Sequence, residues 1–220
     1  MCCIWRGSVK KLMEDYVALY GGAFDPFHNG HQYILDELNV LRFKKIILLP
    51  TGNSAFNKKL TPSNHRIHMI DLAVTGAEIS NYEILSMDNP SYTIDSIDHF
   101  LKEYPKICFV MGEDSFYQFK KWKDWHQLLN KTKILVINRG SNSKNFFNFI
   151  QSEKFAIEND FKKFITSANQ LIYYHQGRGY NTSSSEIKMY LQNRELAECR
   201  KHLNKKILDY ILEFNLYGVD

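Results

Sequence analysis

The pattern that most constrains this chain is a repeated pair: a short apolar run rich in β-branched residues, then a longer segment with helical spacing. VALY (17–20), KIILLP (45–50), ICFVM (107–111) and KILVIN (133–138) are almost continuously apolar, as strands buried on both faces must be. LIYYHQ (171–176) and NYEILSM (81–87) read as two further strands. Between them, residues 30–41 place Ile34, Leu35, Leu38 and Leu41 on one helical face, and residues 93–105 do the same with Ile94, Ile97 and Leu101 before Pro105 stops the run. Ser63 is the expected N-cap of a helix carrying Ile67, Ile70, Leu72 and Val74 and ending near Gly76. This alternation predicts an α/β fold: a doubly wound, mostly parallel sheet with helices on both faces. Right-handed crossovers then bring the C-terminal strand ends to one edge, where such sheets bind ligands.

Residues 183–193 and 203–217 are expected as C-terminal helices, and 140–170 as irregular or helical covering structure. With 220 residues and 44% apolar composition, one core of ordinary size accounts for the chain. The expected organisation is an N-terminal extension, 1–15, and a single domain, 16–220.

The formal charge of +4 is spread among acids rather than gathered in a run, so it favours anionic small ligands without announcing nucleic acid. Four cysteines at 2, 3, 108 and 199 contain no C-x-x-C pair, which argues for reduced thiols over a disulfide framework or a zinc ribbon. No stretch has the length of a signal peptide's apolar region or of a membrane span. A cytoplasmic protein is the expectation, with neither membrane nor nucleic acid as partner; the sequence leaves open whether it forms a homo-oligomer.

The chemistry is concentrated in YGGAFDPFHNGH, residues 20–31, between the first strand and the first helix. Backbone N–H groups at such a junction can meet an anion, and Gly21 and Gly22 let the main chain approach phosphate. His28 and His31 share one face if the helix has begun, so both can donate to phosphate oxygens. Phosphoryl transfer needs such donors, because charge builds on the transferring group and the departing pyrophosphate. A zinc site would require ligands that no HExxH or cysteine motif supplies. The G-x-G-x-x-G of a dinucleotide-binding dehydrogenase is absent.

A second segment, TSSSEIK (182–188), places three serines before a helical run. Ser183 or Ser184 can cap the helix while its free N–H groups face a phosphate, with Lys188 adding a cation one turn on. Alone, this is an ordinary serine-rich cap; its force lies in occurring with the first motif.

Together, GGAFDPFHNGH and SSSEIK resemble the G-x-F-D-P-x-H-x-G-H and S-S-x-I-[RK] pair of HIGH-type nucleotidyltransferases. Within that superfamily, NPSYTIDSI (89–97), VMGEDSFYQFKKW (110–122), VINR (136–139) and the ending ILDYILEFNLYG resemble the bacterial nicotinate mononucleotide adenylyltransferases. The resemblance implies a Rossmann-like nucleotidyltransferase fold and adenylyl transfer from ATP to nicotinate mononucleotide, giving deamido-NAD and pyrophosphate, with Mg2+ carried by ATP. It implies that His28, His31 and Ser184 act in catalysis. Gly21, Gly22, Ala23, Phe24, Ser183, Ser185 and Lys188 would join them around ATP, with Gly112 and Asp114 on the ribose. Trp122 would stack on the pyridine ring, Tyr92 and Thr93 would lie near its carboxylate, and Lys58 and Arg139 would hold phosphate.

Two positions depart from the family pattern. Its P-P-H-K loop reads Ala55-Phe56-Asn57-Lys58 here, and the arginine of its serine motif is Lys188, which keeps the charge and loses bidentate geometry. Rival readings are the same chemistry on nicotinamide mononucleotide or phosphopantetheine, and a non-catalytic nucleotide sensor on the same fold.

Overall fold

The computed structural model describes residues 13–55, 59–86, 90–138, 143–167, 171–177, 180 and 182–219. Their strands form one seven-stranded sheet. These are β1 (Val17–Gly22), β2 (Lys45–Pro50), β3 (Glu78–Ile79), β4 (Ile107–Gly112), β5 (Lys133–Ile137), β6 (Ile157–Glu158) and β7 (Ile172–His175). Their order is β3-β2-β1-β4-β5-β7-β6, every pairing is parallel, and β1 is flanked in register by β2 and β4, with Leu19 opposite both Ile47 and Phe109.

From β1 the chain winds outward through β2 to β3, then returns to β4 on the other side of β1. The strand order reverses there, and a crevice opens between the carboxyl ends of β1 and β4. Gly21, Gly22 and Gly112 stand at those ends.

Alternating side chains of each central strand enter opposite cores, which explains the continuous apolar runs. Ala18, Tyr20, Leu48, Val110 and Leu135 pack on one face against helix α1 (Asn29–Leu41) through Ile34, Leu35 and Leu38. Ile187 of α9 (Ser184–Gln192), Cys199 of α10 (Leu196–His202) and Ile207 and Ile211 of α11 (Lys205–Glu213) complete that layer. Val17, Leu19, Ile47, Phe109 and Val136 face the other side. There they meet Ile94 and Ile97 of α4 (Thr93–Phe100), Phe116 of α5 (Glu113–Phe116), Leu128 of α6 (Trp125–Lys131) and Phe146 of α7 (Ser143–Glu153). The expected doubly wound sheet is present, and wholly parallel.

Several local expectations fail for identifiable reasons. Of the segment 81–87 expected as the third strand, residue 87 lies outside the described residues and 81–86 do not form it; that strand is Glu78–Ile79, and Tyr82–Leu85 is a turn of helix, α3. The Ser80 hydroxyl accepts the Tyr82 N–H at 3.2 Å, and Leu85 N–H reaches the Asn81 carbonyl at 2.9 Å, so local side-chain bonding diverts the segment from the sheet edge. Pro62, not Ser63, holds the N-cap position of α2 (Ser63–Asp71), and that helix stops before Gly76. The last helix ends at Glu213 because Asn215 turns left-handed at φ 48°. Within 140–170, α7, the two-residue edge strand β6 and α8 (Phe161–Thr166) are regular. Met13, inside the segment expected as an extension, is fully buried in the first core.

Candidate active site

The loop after β1 leads into α1 through its two histidines. His28 is the N-cap: its Nδ1 accepts the Gly30 N–H at 3.1 Å, and His31 Nδ1 accepts the His28 N–H at 3.2 Å, a reciprocal capping box built from imidazoles. A backbone N–H is always a donor, so both Nδ1 atoms are acceptors, and in the neutral rings the proton sits on Nε2. The rings lie 3.7 Å apart between centroids, and His31 is wedged between Phe24 at 5.0 Å and Phe27 at 5.4 Å. Burial of His28 to 1% exposure fixes its ring further.

These histidines line a cavity of about 170 Å³ with residues 20–24, Gly112, Asp114, Ser115 and residues 183–185. All the residues expected around ATP except Lys188 thus share one concave surface, although Gly21 and Ser185 are 164 positions apart in sequence. Ser183 caps α9, its Oγ accepting the Glu186 N–H at 3.1 Å, and Ser184 Oγ donates to the Pro26 carbonyl at 3.4 Å. The positive end of α9 therefore faces the loop that carries the histidines, and an anion between them meets two sets of donors.

A larger cavity, about 510 Å³, adjoins the first and shares Gly21, Gly22, Ala23 and Ser115 with it. Trp122, Tyr92 and Thr93 line it, together with Phe109, Ser54, Glu83, Ser91, Gln118, Lys121 and Lys123. Helix α4 begins here without a side-chain cap, so its first N–H groups are available to a ligand. Trp122 packs edge-on against Phe109 at 6.0 Å, which leaves its ring as a wall of the cavity. At the junction there is no room for a side chain: a Cβ on Gly21 would stand 2.8 Å from Phe109 Cζ.

Glu83 is buried to 6% exposure, accepting from Ser96 Oγ at 2.8 Å and Ser91 Oγ at 3.2 Å. Burial pushes its carboxyl up, against the pull of the Ser96, Ser91 and Gly52 hydrogen bonds and the Arg66 charge. The segment bearing Tyr92 and Thr93 is tied down at both ends by this one side chain.

Lys188 does not line the cavity assigned to it. Its Nζ pairs at 2.6 Å with Asp25, which is wholly buried in the loop before His28. An interior carboxylate draws the nearest flexible cation, and no local pattern in the sequence reveals that partner. Lys58 and Arg139 lie outside the described residues. The sequence assigns no role to Glu83, Lys121 and Lys123, which line the larger cavity, or to Arg66 and Tyr217, which bond the loop before His28; long-range packing brings them there, although Lys121 and Lys123 flank Trp122 in sequence. Among the described residues no group of three or more His, Cys, Asp or Glu is arranged to hold a metal ion, and no helix is long and apolar enough to cross a membrane.

Residues 19–190 match the model of the cytidylyltransferase-like family. A Clostridium tetani protein named "Probable nicotinate-nucleotide adenylyltransferase" is 32% identical over 208 residues, covering 91% of this chain and 98% of its own. The chain belongs to the nicotinate-nucleotide adenylyltransferase family. A Clostridium botulinum member of the same name is 30% identical, covering 93% of this chain and 98% of its own. A structure described as Plasmodium falciparum nicotinic acid mononucleotide adenylyltransferase complexed with NaAD superposes with a TM-score of 0.72 over 94% of this chain and 98% of its own; at 21% identity it supports the fold alone. The Rossmann-like nucleotidyltransferase fold implied by GGAFDPFHNGH and SSSEIK is borne out, as are the family and enzyme class to which NPSYTIDSI, VMGEDSFYQFKKW, VINR and the ending ILDYILEFNLYG point.

Proposed function

We propose that the chain acts in NAD biosynthesis, joining the adenylyl group of ATP to nicotinate mononucleotide at the two adjoining cavities. A phosphate oxygen of the mononucleotide attacks the α-phosphorus of ATP. The new P–O bond forms as the bond to the bridging oxygen of the β-phosphate breaks, and that oxygen leaves with its electron pair as pyrophosphate. The attacking phosphate is already an anion, so alignment and charge neutralisation do the chemistry and no general base is required.

The observation that carries this reading is the shared floor of Gly21, Gly22, Ala23 and Ser115 between a cavity of histidine and serine-helix donors and one walled by Trp122. ATP phosphates in the first and a mononucleotide in the second would meet at that floor. Nε2–H of His28 and His31 and the start of α9 would then stabilise the charge on the transferring and departing phosphates. ATP arrives as its Mg2+ complex; Asp114 is the carboxylate lining the phosphate cavity, and the metal belongs to the substrate rather than to a protein cage.

The uncapped start of α4 beside Tyr92 and Thr93 favours nicotinate over nicotinamide. Both oxygens of a carboxylate accept from N–H donors at a helix start and its charge suits the positive end of the dipole, whereas a neutral carboxamide offers those donors a single oxygen. The test is a comparison of initial rates with the two mononucleotides under saturating Mg-ATP: preference for nicotinate supports the assignment, and equal or reversed preference refutes it.

A further inference from the structure

Asp25 lies in the middle of the phosphate loop, is fully buried, and has no part in the chemistry described above. Its carboxylate collects donors from three separate parts of the chain: Lys188 Nζ at 2.6 Å, the Thr61 N–H at 3.3 Å and the Tyr217 hydroxyl at 2.8 Å. Arg66, also buried, extends the cluster by donating from Nε to the Thr61 carbonyl at 2.9 Å and from Nη1 to the Ala23 carbonyl at 2.8 Å.

The elements joined here are those that build the cavity. Asp25 and Ala23 belong to the loop between β1 and His28; Lys188 lies on α9, whose start forms the opposite wall. Tyr217 comes from the turn after α11 and holds its backbone at φ 67°, a conformation costly for a residue with a side chain and kept only where surrounding contacts impose it. Its ring also lies beneath the Lys188 ammonium, 4.9 Å from Nζ to centroid.

We propose that Asp25 is a hub that fixes the spacing between the histidine loop and the serine helix, and that Tyr217 is a positioning residue for adenylyl transfer acting through it. This rests on reading the cavity between those elements as the triphosphate site. Lys188 and Thr61 both bond Oδ2, whereas Tyr217 serves Oδ1. Loss of the Tyr217 hydroxyl therefore frees the carboxylate to turn toward Lys188, and the loop and helix move with it. Transfer between aligned groups is steeply sensitive to such displacement.

The test is steady-state kinetics of Tyr217→Phe and Lys188→Met, each alone and in an Asp25→Asn background, on protein with a wild-type circular-dichroism spectrum at the assay temperature. Tyr217→Phe should lower kcat about tenfold, the effect of one lost hydrogen bond to a buried charge, with acceptor KM within about twofold because none of these residues lines the acceptor cavity. The loss should vanish when Asp25 is already Asn, and Lys188→Arg should restore most of what Lys188→Met removes. Wild-type kcat in Tyr217→Phe, or an equal loss with and without Asp25, overturns the hub. If Tyr217→Phe does not fold, Lys188→Met decides by the same criteria. A wild-type chain inactive on nicotinate mononucleotide and Mg-ATP refutes the functional reading itself, an outcome distinct from an active enzyme indifferent to Tyr217.

Discussion

His31 accepts the backbone N–H of His28 through Nδ1 at 3.2 Å, and the two imidazoles lie 3.7 Å apart. The helix cap thus serves as the device that aims the site: the atoms satisfying orphan N–H groups force both rings to present Nε2–H as donors. Long-range proton–nitrogen NMR at neutral pH should show the Nε2–H tautomer for both. An Nδ1–H signal from either would contradict the arrangement.

His31→Ala removes both the donor and half of the capping box. Turnover should fall by about 10²-fold or more, the usual cost of losing a transition-state donor, while the cap loss costs about 1 kcal/mol of stability. Rates and a denaturant titration on the same preparation separate the two effects; near-normal turnover would exclude His31 from the mechanism.

Gly21→Ala addresses the junction of the cavities. The added methyl would press on Phe109, itself 1% exposed and unable to swing into solvent. Overpacking of this kind costs roughly 1–3 kcal/mol, and a displaced Phe109 would also reshape the larger cavity that it lines. Activity should drop further than stability does, and an active, fully stable variant would show that the two cavities do not work as one site.

Trp122→Ala tests the acceptor wall. Aromatic stacking of about 1 kcal/mol predicts an acceptor KM raised roughly fivefold with kcat little changed. An unchanged acceptor KM would mean that the ring only covers Phe109 and Phe119, which it also touches.

The acid side of the stability curve should depend on Asp25. Burial alone would raise its carboxyl, but hydrogen bonds from Lys188, Thr61 and Tyr217, with the Lys188 charge, hold it below the usual carboxylate range. Its stabilising contribution is therefore complete above the unfolded value of roughly 3.9 and is lost as pH falls through the lower folded value. Urea unfolding between pH 7 and 3 should show wild type losing more stability on acidification than Asp25→Asn. Parallel curves would remove Asp25 as a source of that dependence.

The phosphate side of the site was legible because its parts are contiguous: His28, His31 and the glycines fall in one strand-to-helix junction, and Ser183 caps the next motif. The sheet was legible for a related reason, since the central strands, buried on both faces, are apolar at nearly every position. Two-residue edge strands such as Glu78–Ile79 carry too few residues to show a period, and so residues 81–87 took their place in the reading. Lys188 was placed on the ligand because its partner, Asp25, is 163 positions away. Tyr217 falls within the ending ILDYILEFNLYG, but nothing local in that segment points to the carboxylate it holds, 192 positions away.

The central claim is adenylyl transfer to nicotinate mononucleotide, and the most direct measurement is pyrophosphate release by the purified chain with Mg-ATP and nicotinate mononucleotide, nicotinamide mononucleotide or phosphopantetheine as acceptor. The account predicts rapid release with the first, accompanied by equimolar deamido-NAD, and much slower release with the others. Binding of ATP without release from any of the three would contradict it and leave a nucleotide sensor in place of an enzyme.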